Sequence, residues 1–254
     1  MMPQAVLALL LLGLSISPLS AQEDLPQLIA KIQPAVVTII IFDRTGRVIG
    51  NGSGFFINPQ GHLVSNYHVL SRAARAEIKT YDGRRYPINL VLAADRQADL
   101  IKVTAALPAG GPPAYLPISP TRPRLGERVV VLGSPLGLEQ TVSDGMVSGI
   151  RRLPGLGDVV QISAPISPGS SGGPVVNVKG EVLGVARGFL SRGQNLNFAI
   201  PGNLILALPE DNPKPLEDLN QEGGAPGLPS PAPGLPPPAT GFPPRPTIII
   251  PPKN

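Results

Sequence analysis

The 254-residue chain contains no cysteine. It therefore forms no disulfide, offers no thiol nucleophile and has no cysteine near its N-terminus to carry a lipid. Histidine is nearly absent too, with only His62 and His68 present. Two imidazoles six residues apart, with no cysteine beside them, do not make a zinc ligand set, and no metal is expected. No glycine-rich phosphate loop followed by a lysine occurs, so nucleotide use has no support and no cofactor is expected. Aromatic residues make up 4% of the chain, too few to build the stacking platforms of nucleic-acid binders. Residues 22–208 carry 18 Lys and Arg against 12 Asp and Glu, and this basic surplus reads as a solvated surface; no nucleic-acid partner is expected. No apolar run reaches the ~20 residues of a membrane-spanning helix.

What is present at the two ends differs from the middle. Ala5–Leu14 is a ten-residue apolar run, followed by Ser17-Pro18-Leu19-Ser20-Ala21 and then the first charges, Glu23 and Asp24. This order predicts a signal peptide over residues 1–21, cleaved after Ala21. The segment before the run lacks Lys and Arg, so a retained anchor is the competing reading. Export without disulfides suits a bacterial periplasmic or secreted protein, out of contact with the membrane once the signal is removed. Residues 209–254 hold 15 of the 33 prolines and almost no periodicity, which predicts an extended, disordered tail. Thr247-Ile248-Ile249-Ile250 is its one β-favouring run, suited to adding to a sheet edge.

Between these ends, Leu25, Leu28, Ile29 and Ile32 recur at helical spacing and predict one short helix ending before Pro34. Short apolar or alternating runs then follow, at 35–42, 54–57, 63–65, 77–81, 88–93 and 101–104. Turn residues such as Asp82-Gly83 separate them. A Pro- and Gly-rich break at 107–120 precedes a second set at 128–132, 145–151, 159–163, 175–177, 182–188 and 197–200. The texture is all-β, a sandwich or barrel built as two units.

The segment Ser167-Pro168-Gly169-Ser170-Ser171-Gly172-Gly173-Pro174 sets a serine among glycines. Small neighbours let a carbonyl reach Ser171, and they leave backbone N–H groups free to meet a developing oxyanion. By itself the pattern fits a flexible loop equally well. Both histidines precede Ser171, which rules out the Ser–acid–His order of α/β-hydrolases. The His–Asp–Ser order stays open. His68, at the end of an apolar run predicted to be a strand closing in a tight turn, is a better base than His62 in its turn-rich loop. Of Asp82, Asp95, Asp99, Asp144 and Asp158, Asp99 stands directly before the strand-like Leu100-Ile101-Lys102-Val103. A carboxylate at that junction can orient an imidazole or merely cap a turn.

Taken together, several segments resemble the HtrA (Deg) group of trypsin-fold serine proteases. They are Gly52-Ser53-Gly54-Phe55-Phe56-Ile57, Ser65-Asn66-Tyr67-His68-Val69, Asp95-Arg96-Gln97-Ala98-Asp99-Leu100, Leu132-Gly133-Ser134-Pro135-Leu136-Gly137-Leu138, Thr141-Val142-Ser143-Asp144-Gly145-Met146-Val147-Ser148, the serine segment, and Leu196-Asn197-Phe198-Ala199-Ile200-Pro201. The resemblance implies a double six-stranded β-barrel within residues 22–208, the first barrel over 34–106 and the second over 121–202. It implies His68, Asp99 and Ser171 as catalytic triad. The oxyanion turn is Gly169, Ser170 and Ser171, with the N–H groups of Gly169 and Ser171 as donors. Pro165, Ile166, Val185, Ala186 and Arg187 are implied as the substrate pocket, which lacks an acidic base and so favours small or medium aliphatic side chains. Arg187 could instead receive an acidic one. Two departures are visible: Ser170 replaces the usual Asn, and Ser163-Ala164 replaces an Asp-Ala pair. Residues 202–254 leave no room for a PDZ domain, so only the protease unit is expected to carry over. The implied function is endoproteolysis of polypeptides in exported-protein quality control or processing, in a possible homotrimer. The alternative is a non-catalytic, chaperone-like binding protein on the same fold.

Overall fold

A computed structural model describes residues 24–112, 114–134, 141–153, 157–189 and 196–220. The expected signal peptide over residues 1–21, the motif residues Pro135–Leu138 and the chain beyond 220, Thr247–Ile250 included, lie outside them.

The first helix, α1 (Leu25–Ile32), starts behind Asp24, whose carbonyl accepts the Leu28 N–H, and carries Pro26 in its first turn, where a missing N–H costs nothing. Leu28 and Ile32 face inward and are buried. The helix ends at Ile32, before Pro34 as expected, and runs into a 3₁₀ turn at Gln33–Ala35.

Twelve strands then form two rings. The first contains β1 (Val36–Phe42), β2 (Val48–Phe56), β3 (His62–Ser65), β4 (Arg75–Lys79), β5 (Arg85–Asp95) and β6 (Leu100–Ala105). The second contains β7 (Arg128–Gly133), β8 (Thr141–Leu153), β9 (Gly157–Ile162), β10 (Pro174–Val176), β11 (Val182–Phe189) and β12 (Asn197–Pro201). Every named pairing between these strands is antiparallel. The first ring runs β1-β2-β3-β6-β5-β4 and the second β7-β8-β9-β12-β11-β10, each closing on its first strand. Closure removes free edges, which small β-proteins must otherwise protect. The all-β double barrel expected from the sequence is the observed architecture.

Alternation along the strands explains how two rings become one body. In β7, Val129 and Val131 point into the second barrel, while Val130 and Leu132 point out onto the seam. In β1, Val37, Ile39 and Ile41 fill the first barrel, and Val36 meets the seam. The seam core joins Val36, Phe55, Val64 and Leu100 of the first barrel to Val130, Leu132, Val176, Val182 and Ile200 of the second, with Leu28 and Ile32 of α1 beside them. Fully burying such a side chain contributes about 1.5–3 kcal/mol, so neither barrel has a reason to separate.

The end of the body departs from the expected boundary at 208. After α3 (Asn203–Leu206), the chain crosses back to the first barrel. There β13 (Lys214–Pro215) pairs with Leu90 and Val91 of β5, and a 3₁₀ turn at Leu216–Asn220 buries Leu216 and Leu219 in that barrel's core. Two leucines spaced to share one face of a tight turn outweigh the local proline content. Glu210 fastens this strap. Its Oε1 accepts from Lys102 Nζ at 2.5 Å, and its Oε2 lies 3.7 Å from His62 Nδ1. The Lys102 hydrogen bond, aided by the charges of Lys102 and His62, holds the Glu210 carboxyl below its ordinary pKa. His62 is therefore the first residue of β3 beside a carboxylate, not a loop residue.

Candidate active site

The chain builds its polar centre on the seam. β3 ends at Ser65, and Asn66 leads into a single helical turn, α2 (Tyr67–Leu70), in which Val69 and Leu70 are buried and His68 faces outward. A helical turn thus stands where the sequence predicts a strand end. Asp99 sits in the β5–β6 turn with φ 59°, the one non-glycine residue with positive φ among the described residues. Aspartate tolerates that region better than most residues. Here it is held from several sides. The Asp99 carbonyl accepts from Tyr67 N–H at 3.1 Å and from Asn66 Nδ2 at 3.2 Å.

The carboxylate of Asp99 is turned toward His68. Its Oδ1 accepts the His68 backbone N–H at 2.9 Å, and His68 Nδ1 lies 2.9 Å from Oδ2 and 3.1 Å from Oδ1. The Asp99 side chain is 5% exposed and that of His68 50% exposed. A buried acceptor therefore fixes one ring nitrogen and leaves the rest of the imidazole open to a ligand. The other four aspartates serve locally. Asp82 accepts from Thr80, Asp95 accepts the Ala98 N–H, Asp144 pairs with Arg128, and Asp158 pairs with Arg152.

Ser171 reaches the seam from the second barrel, in the turn between β9 and β10. Its carbonyl accepts the Ser53 N–H of β2 at 2.8 Å, and the Gly169 carbonyl accepts from Ser53 Oγ at 2.7 Å. Gly172 has φ +88°. A side chain there would collide with Ser53 O and Ser65 Oγ, and its Cβ would stand 3.2 Å from the Asn66 N. Only glycine lets the serine turn come this close to the strand that leads to His68. Across the same seam, Ser134 N donates to Ser53 Oγ at 2.9 Å, and Ser134 O accepts from Asn51 Nδ2 at 3.1 Å. Ser53 and Ser134 thus stitch the two barrels together. Both stood inside recognised motifs, but nothing in those motifs shows that their hydroxyl and amide groups bond across the seam.

The Ser171 hydroxyl and the Gly169–Ser171 turn make few internal hydrogen bonds. Ser171 Oγ donates to the Arg187 carbonyl at 3.4 Å. No hydrogen bond joins it to His68 among the described residues, a looseness common in unliganded sites. Ser170 is buried, and its N–H donates to Ser167 O. The N–H groups of Gly169 and Ser171 have no internal acceptor among the described residues and remain available to an oxygen. Gly133 leaves the space that Ser170 fills, and Ser163 Oγ accepts the Met146 N–H.

The residues expected to line a pocket separate into two groups. Ile166 and Ala186 are buried in the second barrel, and Val185 is buried in the seam core. Pro165 is exposed. Arg187, expected in the pocket and able there to receive an acidic side chain, instead forms an ion pair with Asp99, with Nε 2.9 Å from Oδ2. No three His, Asp or Glu side chains gather to hold a metal ion among the described residues.

Three comparisons bear on this geometry. A family model described as a trypsin-like peptidase domain matches residues 52–185. Mitochondrial serine protease HTRA2 of Bos taurus is 36% identical over 216 residues, covering 80% of this chain and 46% of that protein. The periplasmic pH-dependent serine endoprotease DegQ of Escherichia coli is 34% identical over 167 residues, covering 63% of this chain and 36% of that protein. The chain thus spans less than half the length of either. Among solved structures, the serine endoprotease from Yersinia pestis matches with a TM-score of 0.64 and 28% identity, covering 78% of this chain and 66% of that one.

Proposed function

We propose a reading that starts from one established point: the chain belongs to the trypsin-like peptidase family. It is a serine endopeptidase, and His68, Asp99 and Ser171 are its triad. The observation that carries this is the His68 Nδ1–Asp99 Oδ2 contact of 2.9 Å, made by a buried carboxylate on the seam that Ser171 enters from the opposite barrel. Asp99 fixes the ring so that Nε2 is the free, basic nitrogen. His68 takes the Ser171 proton as Oγ attacks the scissile carbonyl, and later gives it to the leaving amine. The Gly169 and Ser171 N–H groups stabilise the oxyanion, each worth about 3–4 kcal/mol in comparable sites. Water then cleaves the acyl-enzyme by the same proton path. The substrates are polypeptides, and the setting is quality control or processing of exported proteins in a bacterial periplasm or outside the cell. No helix among the described residues is long and apolar enough to cross a membrane. Assembly as a homotrimer belongs to the same reading.

The hydrogen bond from Ser171 Oγ to Arg187 O favours one competitor, a non-catalytic protein that holds polypeptides in the seam. A serine-directed phosphonate separates the two readings. Peptidase activity predicts covalent labelling of the wild-type chain, and none of Ser171→Ala at an unchanged melting temperature. An unlabelled wild-type chain overturns the peptidase reading.

A further inference from the structure

We infer that Arg187 is a positioning residue that restrains this dyad by sharing the Asp99 carboxylate with His68; the inference rests on the peptidase reading above. Asp99 Oδ2 has two nitrogen partners at the same distance, His68 Nδ1 at 2.9 Å and Arg187 Nε at 2.9 Å. The backbone explains how the arginine gets there. Ala186 pairs with Ala199 and Gly188 with Phe198, so Arg187 is the extra residue of a β-bulge in β11. Bulges re-aim a side chain away from the regular alternation. Ala186 turns into the barrel, and Arg187 turns onto the seam.

The arrangement is held against a cost. The Arg187 side chain is only 21% exposed, and its Nη1 is buried without an acceptor. A buried guanidinium with an unused N–H is destabilising unless its other contacts compensate. Its charged contact is Asp99, and its carbonyl accepts the Ser171 hydroxyl at 3.4 Å. One residue therefore touches both the acid and the nucleophile.

Charge decides the direction of the effect. Before the attack, the Asp99 carboxylate and the Arg187 guanidinium cancel. When Ser171 attacks, His68 becomes imidazolium and two cations then compete for one carboxylate. Asp99 can give the transition state less stabilisation than it would give a lone imidazolium. Arg187 therefore slows acylation, and removing its charge speeds it.

Three variants separate charge from shape. Arg187→Gln keeps reach and a donor without charge, Arg187→Lys keeps the charge, and Arg187→Thr removes both reach and charge. Thermal melting checks that each is folded, and Arg187→Thr carries the comparison if Arg187→Gln does not fold. The phosphonate should label the uncharged variants about tenfold faster than wild type, given the strength of charge interactions at partly buried sites. On a peptide substrate this appears in kcat with KM unchanged. Arg187→Lys should behave as wild type. The far-downfield proton resonance of His68 Nδ1–H should move in the uncharged variants and stay in place in Arg187→Lys. Labelling of the uncharged variants at or below the wild-type rate overturns the inference. If no protein labels, wild type included, the peptidase reading falls and the resonance alone decides: movement in Arg187→Gln supports shared ownership of Asp99, and an unmoved signal overturns it.

Discussion

The two barrels repeat one ring order, strand for strand, yet they use the equivalent turn in opposite ways. After its third strand the first barrel forms a compact helical turn, α2, that presents His68. After its third strand the second barrel runs through Ser167–Gly173, a turn of small residues that presents Ser171. The first turn is rigid because Asp99 bonds it through backbone and side chain together. The second is placed by the partner barrel, since Ser53 of β2 holds both Gly169 and Ser171. On the proposed reading a base must be oriented and a nucleophile must be approached by substrate, which would account for one topology filled with opposite textures. Neither barrel holds a complete site.

The largest test of this division removes the orienting charge from the first barrel. Asp99→Asn should lower kcat/KM by about 10⁴, the size of such an exchange in other triads, with the melting temperature changed far less than the rate. A smaller effect would mean that His68 is held by something other than Asp99. Next in size, Gly172→Ala drives a methyl group into Ser53 O and Ser65 Oγ at a positive φ. It should cost about 3–4 kcal/mol in denaturant unfolding, because the two turns can no longer approach. Ser53→Ala should cost about 1–2 kcal/mol, losing the bonds to Gly169 O and Ser134 N. Its peptidase rate should fall while KM moves little, a sign that the barrels are misaligned rather than that binding is lost.

The smallest effect concerns only the first barrel and its strap. Glu210 titrates below its ordinary value in the folded chain, chiefly through its hydrogen bond from Lys102. Its contribution to stability is therefore complete above the ordinary glutamate range and is lost as pH falls through the lower folded value. Glu210→Gln should lower the melting temperature at neutral pH by about 2–4 °C, and the gap should narrow as pH falls below the ordinary glutamate range. A gap that persists in acid would show that the strap depends on Leu216 and Leu219 alone.

Some of this was legible without coordinates. All twelve ring strands were readable because each alternates or runs apolar between turn residues, as in Val36–Phe42 and Val129–Leu132. The histidine order excluded one hydrolase class by arithmetic. The helical turn at Tyr67–Leu70 was not readable, since four residues carry too little periodicity and its fold is fixed by Asp99 from 31 residues away. The strap at 210–220 was hidden by its prolines, because Leu216 and Leu219 gain only when a barrel lies beneath them. Arg187 was assigned to the pocket because the family resemblance places a pocket wall on its strand; the bulge that turns it toward Asp99 exists only once β11 and β12 are paired.

The sequence by itself determined the two β units, the candidates His68, Asp99 and Ser171, and the family they resemble, because alternation and motif order are local properties of the chain. The tertiary structure alone decided how Asp99 meets the histidine, how Ser53 and Gly172 bring two turns together, and that Arg187 reaches Asp99. Those are distances between residues far apart in the chain, set by ring closure and seam packing, and no local pattern encodes them.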